Sequence, residues 1–488
     1  MWYGVSSIAA RFINYLLTPY LTYKFSTTQY GEMSIIYAFI PFMNIVFTYG
    51  LETAFFRYAT GDNKNRVYNT TSISMLVSTI VLAIGMYIFR EPIASLLRIE
   101  NHVDYISLSI GIIALDALST IAFAKLRLEG RPRKFALIKV SGIIINVASV
   151  YFFLSICPAI KETNPDGFIG NFYNPEWAVG YSLLANLIQS AVTLLLLSKE
   201  WLGFKWSFDK VLWRQMLVYS MPLLIVGFGG MINETLDRIM LTWWAPGGTE
   251  EAAKAETGIY SACYKLAILI SLSIQAFRMG AEPFFFKQAA EGNAPKTYAR
   301  VMKFFVITIC FMFLGVAMYL DIWKHFIRNQ EMWVGLKVVP ILLLANIFLG
   351  IYYNLSIWYK VTNKTMVGAK ITLIGAVITI IINYLFIPHF GYMACAWATF
   401  FCYGTMMVLS FSWGQKVYPI PYAWKKLIAY IVIVVLLYLL HAAFTLIGLH
   451  VWLNHVWATF LFIAFGWFIL LVERKEFKQL PFIGKYIR

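Results

Sequence analysis

Charge is what this sequence has least of. Asp, Glu, Lys and Arg together make up 13% of its 488 residues, while 60% are hydrophobic and the mean hydropathy is +0.68. Soluble domains carry about 25% charged residues, so a water-soluble fold is excluded and the chain must reside in a membrane. Long polar stretches are missing as well. At roughly 35 residues per span and connection, with spans of about 20, the length accommodates about 14 helices and leaves no room for a large soluble catalytic domain.

Other absences narrow the chemistry. The five cysteines (Cys157, Cys263, Cys310, Cys395 and Cys402) show no C-x-x-C spacing and lie mostly in apolar runs. They support neither a disulfide framework nor a metal site and read as small packing residues. The six histidines (His102, His325, His389, His441, His450 and His455) fall at or near expected outer ends, with no H-E-x-x-H pair, as interfacial residues do. No G-x-x-x-x-G-K-[ST] string is present, so direct ATP hydrolysis is excluded, and Gly227 and Gly230 inside a span read as packing or a hinge. No cofactor and no metal is expected. The longest outer loop, around Pro158 to Trp177, offers less polar surface than a membrane-embedded glycan polymerase or ligase would present. The first apolar stretch carries Arg11 and Asn14 and lacks both a basic leader region and a small-residue cleavage site, so it reads as a first span and not a secretory signal.

Apolar runs predict spans over 3–23, 33–56, 70–89, 105–124, 136–157, 178–198, 215–244, 258–277, 301–320, 336–358, 366–387, 391–413, 427–447 and 451–472. The formal charge of +16 would suggest nucleic acid in a soluble protein, but it is distributed as a topology signal. Alternate connections and the tail, which includes Lys485 and Arg488, hold about 29 of the 40 basic residues, against about 8 on the opposite side. The positive-inside rule therefore places both termini in the cytoplasm, with no nucleic-acid partner implied.

Internal symmetry is the most informative positive feature. Arg11, Pro19, Gly31, Ser34 and Tyr37 recur, shifted by 227 positions, as Arg238, Pro246, Gly258, Ser261 and Tyr264. Gly50, Glu52, Phe55, Phe56 and Arg57 recur, shifted by 230, as Gly280, Glu282, Phe285, Phe286 and Lys287. Tyr68 and Gly85 match Tyr298 and Gly315 at that shift, and Arg133 and Lys139 have the spacing of Lys364 and Lys370. The first twelve helices thus form two parallel six-helix repeats related by an axis along the membrane normal, an arrangement of secondary transporters with a site between the halves. The expected architecture is an all-α polytopic membrane protein of about 14 helices. It divides into an N-terminal six-helix lobe (1–200), a C-terminal six-helix lobe (201–415), and two further helices with a basic tail (416–488).

Few residues in these spans can carry chemistry. A charge at mid-membrane costs about 2.5–3.5 kcal/mol on insertion scales, so Arg11, Glu234, Asp237, Arg238 and Lys265 must face protein or water. Ser7, Arg11, Asn14 and Thr18 form one stripe on the first helix, and Gly227, Gly230, Glu234, Asp237 and Arg238 a similar face on the seventh. Two readings stay open: a cationic cavity with Arg11 and Arg238 as pseudo-symmetric anion ligands, or structural pairs such as Arg11 with Glu234 and Arg238 with Asp237. Glu52 and Glu282, near basic helix ends, suit an inner gate closed by partners such as Arg57 or Arg278, or a local helix-end pair. Asp116 is a buried polar contact or an ion or proton site.

The segments T-Q-Y-G-E-M-S to F-F-R-Y (Thr28 to Tyr58), L-R-L-E-G-R-P-R-K-F-A (Leu126 to Ala136), the Asp237–Arg238 pair, G-I-Y-S-A-C-Y-K (Gly258 to Lys265) and I-N-Y-L-F-I-P-H-F-G-Y (Ile382 to Tyr392) resemble a known family. They are similar to the polysaccharide-export flippases, the Wzx-type O-antigen and capsule transporters of the multidrug/oligosaccharidyl-lipid/polysaccharide exporter superfamily. The resemblance covers essentially the whole chain. It implies a V-shaped bundle of two six-helix lobes plus two helices, in a bacterial inner membrane. Such a bundle moves undecaprenyl-diphosphate-linked oligosaccharide, an O-antigen, capsule or lipopolysaccharide unit, to the outer leaflet by alternating access, without being an enzyme. Its diphosphate-binding role maps onto Arg11, Arg238 and Lys265, with Asn14 beside them. Glu234, Asp237 and Asp116, like Glu52 and Glu282, are then candidates for gating or for coupling to a proton or sodium gradient or the membrane potential. Membrane lipids and polysaccharide assembly proteins are the implied partners. The rival readings are a multidrug or cation antiporter of the same superfamily, a peptidoglycan-precursor lipid flippase and, from another class, a polytopic glycan polymerase or ligase.

Overall fold

The computed structural model describes residues 2–59, 63–289 and 294–478; Lys485 and Arg488 of the basic tail and the side chain of Ser7 lie outside the described residues. The first helix, α1, runs over Trp2–Leu16 and resumes as Thr18–Lys24. Among the described residues thirteen helices follow that are long and apolar enough to cross a membrane: α2 Thr27–Tyr58, α3 Lys64–Ile88, α4 Glu100–Leu128, α5 Pro132–Thr163, α6 Pro175–Leu196, α7 Lys210–Trp244, α8 Glu250–Gln288, α9 Ala294–Ala317, α10 Gln330–Val361, α11 Thr365–Phe390, α12 Tyr392–Val417, α13 Trp424–Thr445 and α14 Val451–Val472. The chain is an all-α, multi-pass membrane protein. Its first span is interrupted at Leu17 because Pro19, in the first turn of the second piece, has no N–H to continue the ladder and its ring crowds the carbonyl four residues back.

Ends are set by local chemistry. Ser26 and Gln29 exchange reciprocal bonds of 3.2 Å at the start of α2, a capping box, and Asp209 accepts from Val211 and Leu212 at the start of α7. The largest departure from the expected spans is α8. Its 39 residues extend well past 258–277 on both sides, because Glu250 and Glu251 favour the positive end of the helix dipole and Lys287 the negative end.

Contacts divide the chain into two compact units: residues 1–265 with 327–335 and 369–402, and residues 266–326 with 336–368 and 403–488. In the first, α4 and α5 both pack on α6, α1 packs on α5, and α2 lies between α4 and α7. In the second, α9 packs on α10 and on the α13–α14 hairpin.

Within the first unit α2 and α8 touch backbone to backbone. A Cβ on Gly31 would lie 1.8 Å from the carbonyl oxygen of Lys254, and one on Gly258 would lie 2.0 Å from that of Thr27. These two glycines are repeat partners, and each faces the carbonyl four residues before the other. Beside them Lys254 Nζ donates to Glu32 Oε1 at 3.0 Å, with both side chains almost fully buried. Phe55 meets Tyr68 edge-on in the first unit (6.3 Å), and their repeat partners Phe285 and Tyr298 do the same in the second (5.1 Å).

Two buried glutamates tie helix ends together. Glu200, just after α6, accepts from Lys134 Nζ at 2.5 and 2.7 Å and from Arg131 Nη1 at 3.0 Å. Glu473, just after α14, accepts from Lys303 (2.8 Å), Lys426 (3.2 Å) and the Tyr430 hydroxyl (2.5 Å). Burial alone would push both carboxyls up. The lysine hydrogen bonds and charges, with Arg131 at Glu200 and Tyr430 at Glu473, outweigh it and hold both below the usual carboxylate range.

Candidate functional site

The α7–α8 region of the first unit holds the densest cluster of expected site residues. Asp237 is 6% exposed and accepts from the Tyr260 hydroxyl at 2.7 Å on Oδ2 and from Arg238 Nη1 at 3.0 Å on Oδ1. Arg238 also donates to the backbone oxygen of Glu234 at 2.7 Å and lies over the Tyr264 ring at 4.5 Å and the Tyr260 ring at 5.7 Å. Four residues apart on a helix, the two tyrosines share a face, and they hold the guanidinium flat while the carboxylate orients it. Lys265 lies within electrostatic range of Arg238. Glu234 itself is exposed. The Arg238–Asp237 pair foreseen in the sequence is therefore formed, and an incoming anion would have to compete with it.

Around α1 the picture differs. Arg11 and Asn14 are exposed, whereas Thr18 of the same expected stripe is buried. Arg11 lies within electrostatic range of Lys139 on α5, which in turn faces Asp116 on α4. Asp116 accepts from the Ser190 hydroxyl at 2.8 Å, and Lys139 Nζ sits 4.3 Å above the Phe123 ring. Lys139 belongs to this group, although it is not among the site residues expected above. Its recurrence as Lys370 was the signal that could have found it.

Glu52 and Glu282 are each held by a cation from a helix two spans further on. Glu52 pairs with Arg127 at the end of α4, and not with Arg57, whose guanidinium instead lies 4.3 Å over the Tyr219 ring. Glu282 accepts from Arg278 Nε at 2.8 Å, as foreseen, and from Lys360 Nζ at 2.5 Å near the end of α10. The first repeat is thus internally clamped between its second and fourth helices, and the second repeat clamps the corresponding pair. Among the described residues no three His, Cys, Asp or Glu side chains come together as a metal centre would require.

A family model described as polysaccharide biosynthesis protein matches residues 1–288. The chain belongs to the polysaccharide biosynthesis protein family. This member of the family is 23% identical over 295 residues to the Lsg locus putative protein 1 of Haemophilus influenzae, a match covering 58% of the chain and 64% of that relative. It is 22% identical over 462 residues to a membrane protein of Methanocaldococcus jannaschii, covering 88% and 86%. Among solved structures, the lipid II flippase MurJ in an inward closed conformation superposes with a TM-score of 0.73 at 14% identity, over 97% of this chain and 99% of that one. An inward-facing MATE family multidrug transporter of the MOP superfamily gives 0.63 at 14%, over 87% and 95%. The family membership agrees with the motif resemblance, and the fold is the one these flippases and transporters share.

Proposed function

We propose that this family member translocates an undecaprenyl-diphosphate-linked oligosaccharide from the inner to the outer leaflet of a bacterial inner membrane by alternating access. It is a carrier and not an enzyme. Arg238, oriented by Asp237 and two tyrosines with Lys265 nearby, carries the reading: such a guanidinium suits phosphate oxygens bidentately. Arg11, its repeat partner, supplies the second fork and Asn14 a polar neighbour. Exchange of Arg238 between Asp237 and the substrate provides a step to which a proton or sodium gradient can be coupled, with Glu234 and Asp116 as further carboxylates at hand. Membership of a polysaccharide biosynthesis family and the fold shared with a lipid II flippase support a lipid-linked glycan over a soluble drug.

Complementation of a flippase-deficient strain tests the reading. Arg11→Ala and Arg238→Ala should lose most transport and Arg11→Lys should keep part of it, with all three present in the membrane at normal levels. Wild-type complementation by both alanine variants would make these arginines structural.

A further inference from the structure

The first repeat leaves one of its inner lysines without a partner. Among the described residues Lys139 makes no ion pair and no hydrogen bond; its Nζ lies 4.3 Å over the Phe123 ring, and Asp116 faces it only across electrostatic range. Other lysines held between helices are compensated directly: Lys134, Lys254, Lys303 and Lys360 each meet a carboxylate at 2.5 to 3.0 Å. We propose that Lys139 is a further substrate-positioning residue, which binds phosphate oxygens of the lipid diphosphate together with Arg11 and leaves Asp116 to do so. Its assignment to the transported lipid rests on the flippase reading.

Lys139 stands seven residues after Pro132, about 10 Å along α5, on the helix that packs against α1. Phe135 and Ile138 beside it belong to a buried apolar cluster with Ala122, Phe123 and Leu126. Holding an ammonium at the edge of such a cluster without an acceptor is unfavourable. A purely structural lysine avoids this as Lys134 does, five residues earlier on the same helix, by bonding Glu200. Arg11 is exposed and within electrostatic range of Lys139, so an anion that reaches its guanidinium is drawn to both charges. Weak screening beside the apolar cluster strengthens that attraction.

Asp116 is anchored independently, by the Ser190 hydroxyl at 2.8 Å on Oδ1, so it stays in place when Lys139 turns away. A diphosphate offers more charge and more acceptor oxygens than this one carboxylate, and it forms the stronger charged hydrogen bond. The second repeat shows the same arrangement built from different positions. Arg238 has Lys265 in electrostatic range, and Lys265 also makes no ion pair or hydrogen bond among the described residues. The two lysines are not repeat partners: Lys139 matches Lys370, and the counterpart of Lys265 at the shift of 227 is Ala38. The common six-helix unit therefore does not dictate a lysine beside each arginine, whereas an anion held by two charges in each copy calls for one.

Calorimetric titration of the purified full-length protein with farnesyl diphosphate tests this role. Lys139→Met should raise Kd about tenfold, as loss of one charged hydrogen bond does, and Lys139→Arg, which keeps the charge, should stay close to wild type. Asp116→Asn removes the competing carboxylate and should tighten binding several-fold, but not in the Lys139→Met background, a coupling that general loosening of the lobe does not produce. Inorganic pyrophosphate should bind more weakly than farnesyl diphosphate, and equal affinity would overturn the lipid assignment. A wild-type Kd in Lys139→Met, or unchanged or weaker binding in Asp116→Asn, would overturn the role of Lys139. If Arg11→Ala alone weakens binding, the Arg11 reading stands and this inference falls; if Lys139→Met alone weakens it, the reverse holds. Absence of farnesyl diphosphate binding by the wild type would overturn both.

Discussion

Arg238 has a carboxylate on one side and aromatic faces on another, and each neighbour sets a different cost of removal. Asp237→Asn takes the counter-charge from a guanidinium that is only 12% exposed, and breaking a buried pair from one side costs about 3–5 kcal/mol. Tyr260→Phe leaves the pair intact and removes one hydrogen bond to a charged group, about 1.5–3 kcal/mol. Thermal unfolding in detergent should rank the variants in that order, and the reverse order would mean that Arg238 finds a second carboxylate, with Glu234 one turn away. The sequence made Asp237 and Arg238 visible because charge in an apolar helix is expensive. Tyr260 and Tyr264 stayed hidden, since aromatic residues four apart are ordinary in such helices and nothing in their spacing announces a cation between them. Lys139 was hidden for another reason: it follows a dense basic run at the start of its helix, where a positive charge reads as a topology signal.

Whole helices were legible because a run of about 20 apolar residues has no other use in so hydrophobic a chain. Their ends were not, as α8 shows, because polar residues continue a helix beyond the hydrocarbon wherever caps and dipole allow. What holds the last two helices was equally invisible, since Glu473 sits in a basic tail that reads as a topology signal. In the folded chain it gathers Lys303 from α9 and Lys426 and Tyr430 from α13, and Glu476 adds Arg300 and Lys303. Glu473→Gln should loosen this junction, seen as faster amide exchange in residues 451–478 at neutral pH with α2 and α4 unchanged. The carboxyl is held below its unfolded value of about 4.3. Its contribution is therefore complete above that value and lost as pH falls through the lower folded value. Thermal stability of the wild type should drop more steeply below about pH 4 than that of Glu473→Gln, and parallel curves would deny Glu473 this role.

At the scale of the molecule the repeat, read from a handful of matched residues, reappears as matched contacts: Phe55 with Tyr68 and Phe285 with Tyr298, Glu52 with Arg127 and Glu282 with Lys360. Orientation rests on the basic bias alone. Single cysteines introduced at Gly167 and at Arg131 should therefore label from opposite faces of intact cells, and labelling of both from outside would invert the topology. Where Gly31 and Gly258 cross, each faces the carbonyl four residues before the other, the contact that two identical subunits make across a two-fold axis. One chain thus retains the form of a homodimer seam. The bolt beside it no longer obeys that symmetry: the repeat partner of Glu32 is Ile259, and that of Lys254 is Thr27. A dimer of the first copy alone would set Glu against Thr, and a dimer of the second Ile against Lys. Only the diverged, fused pair sets Glu against Lys, so a dimer of either copy alone would lack this buried bond.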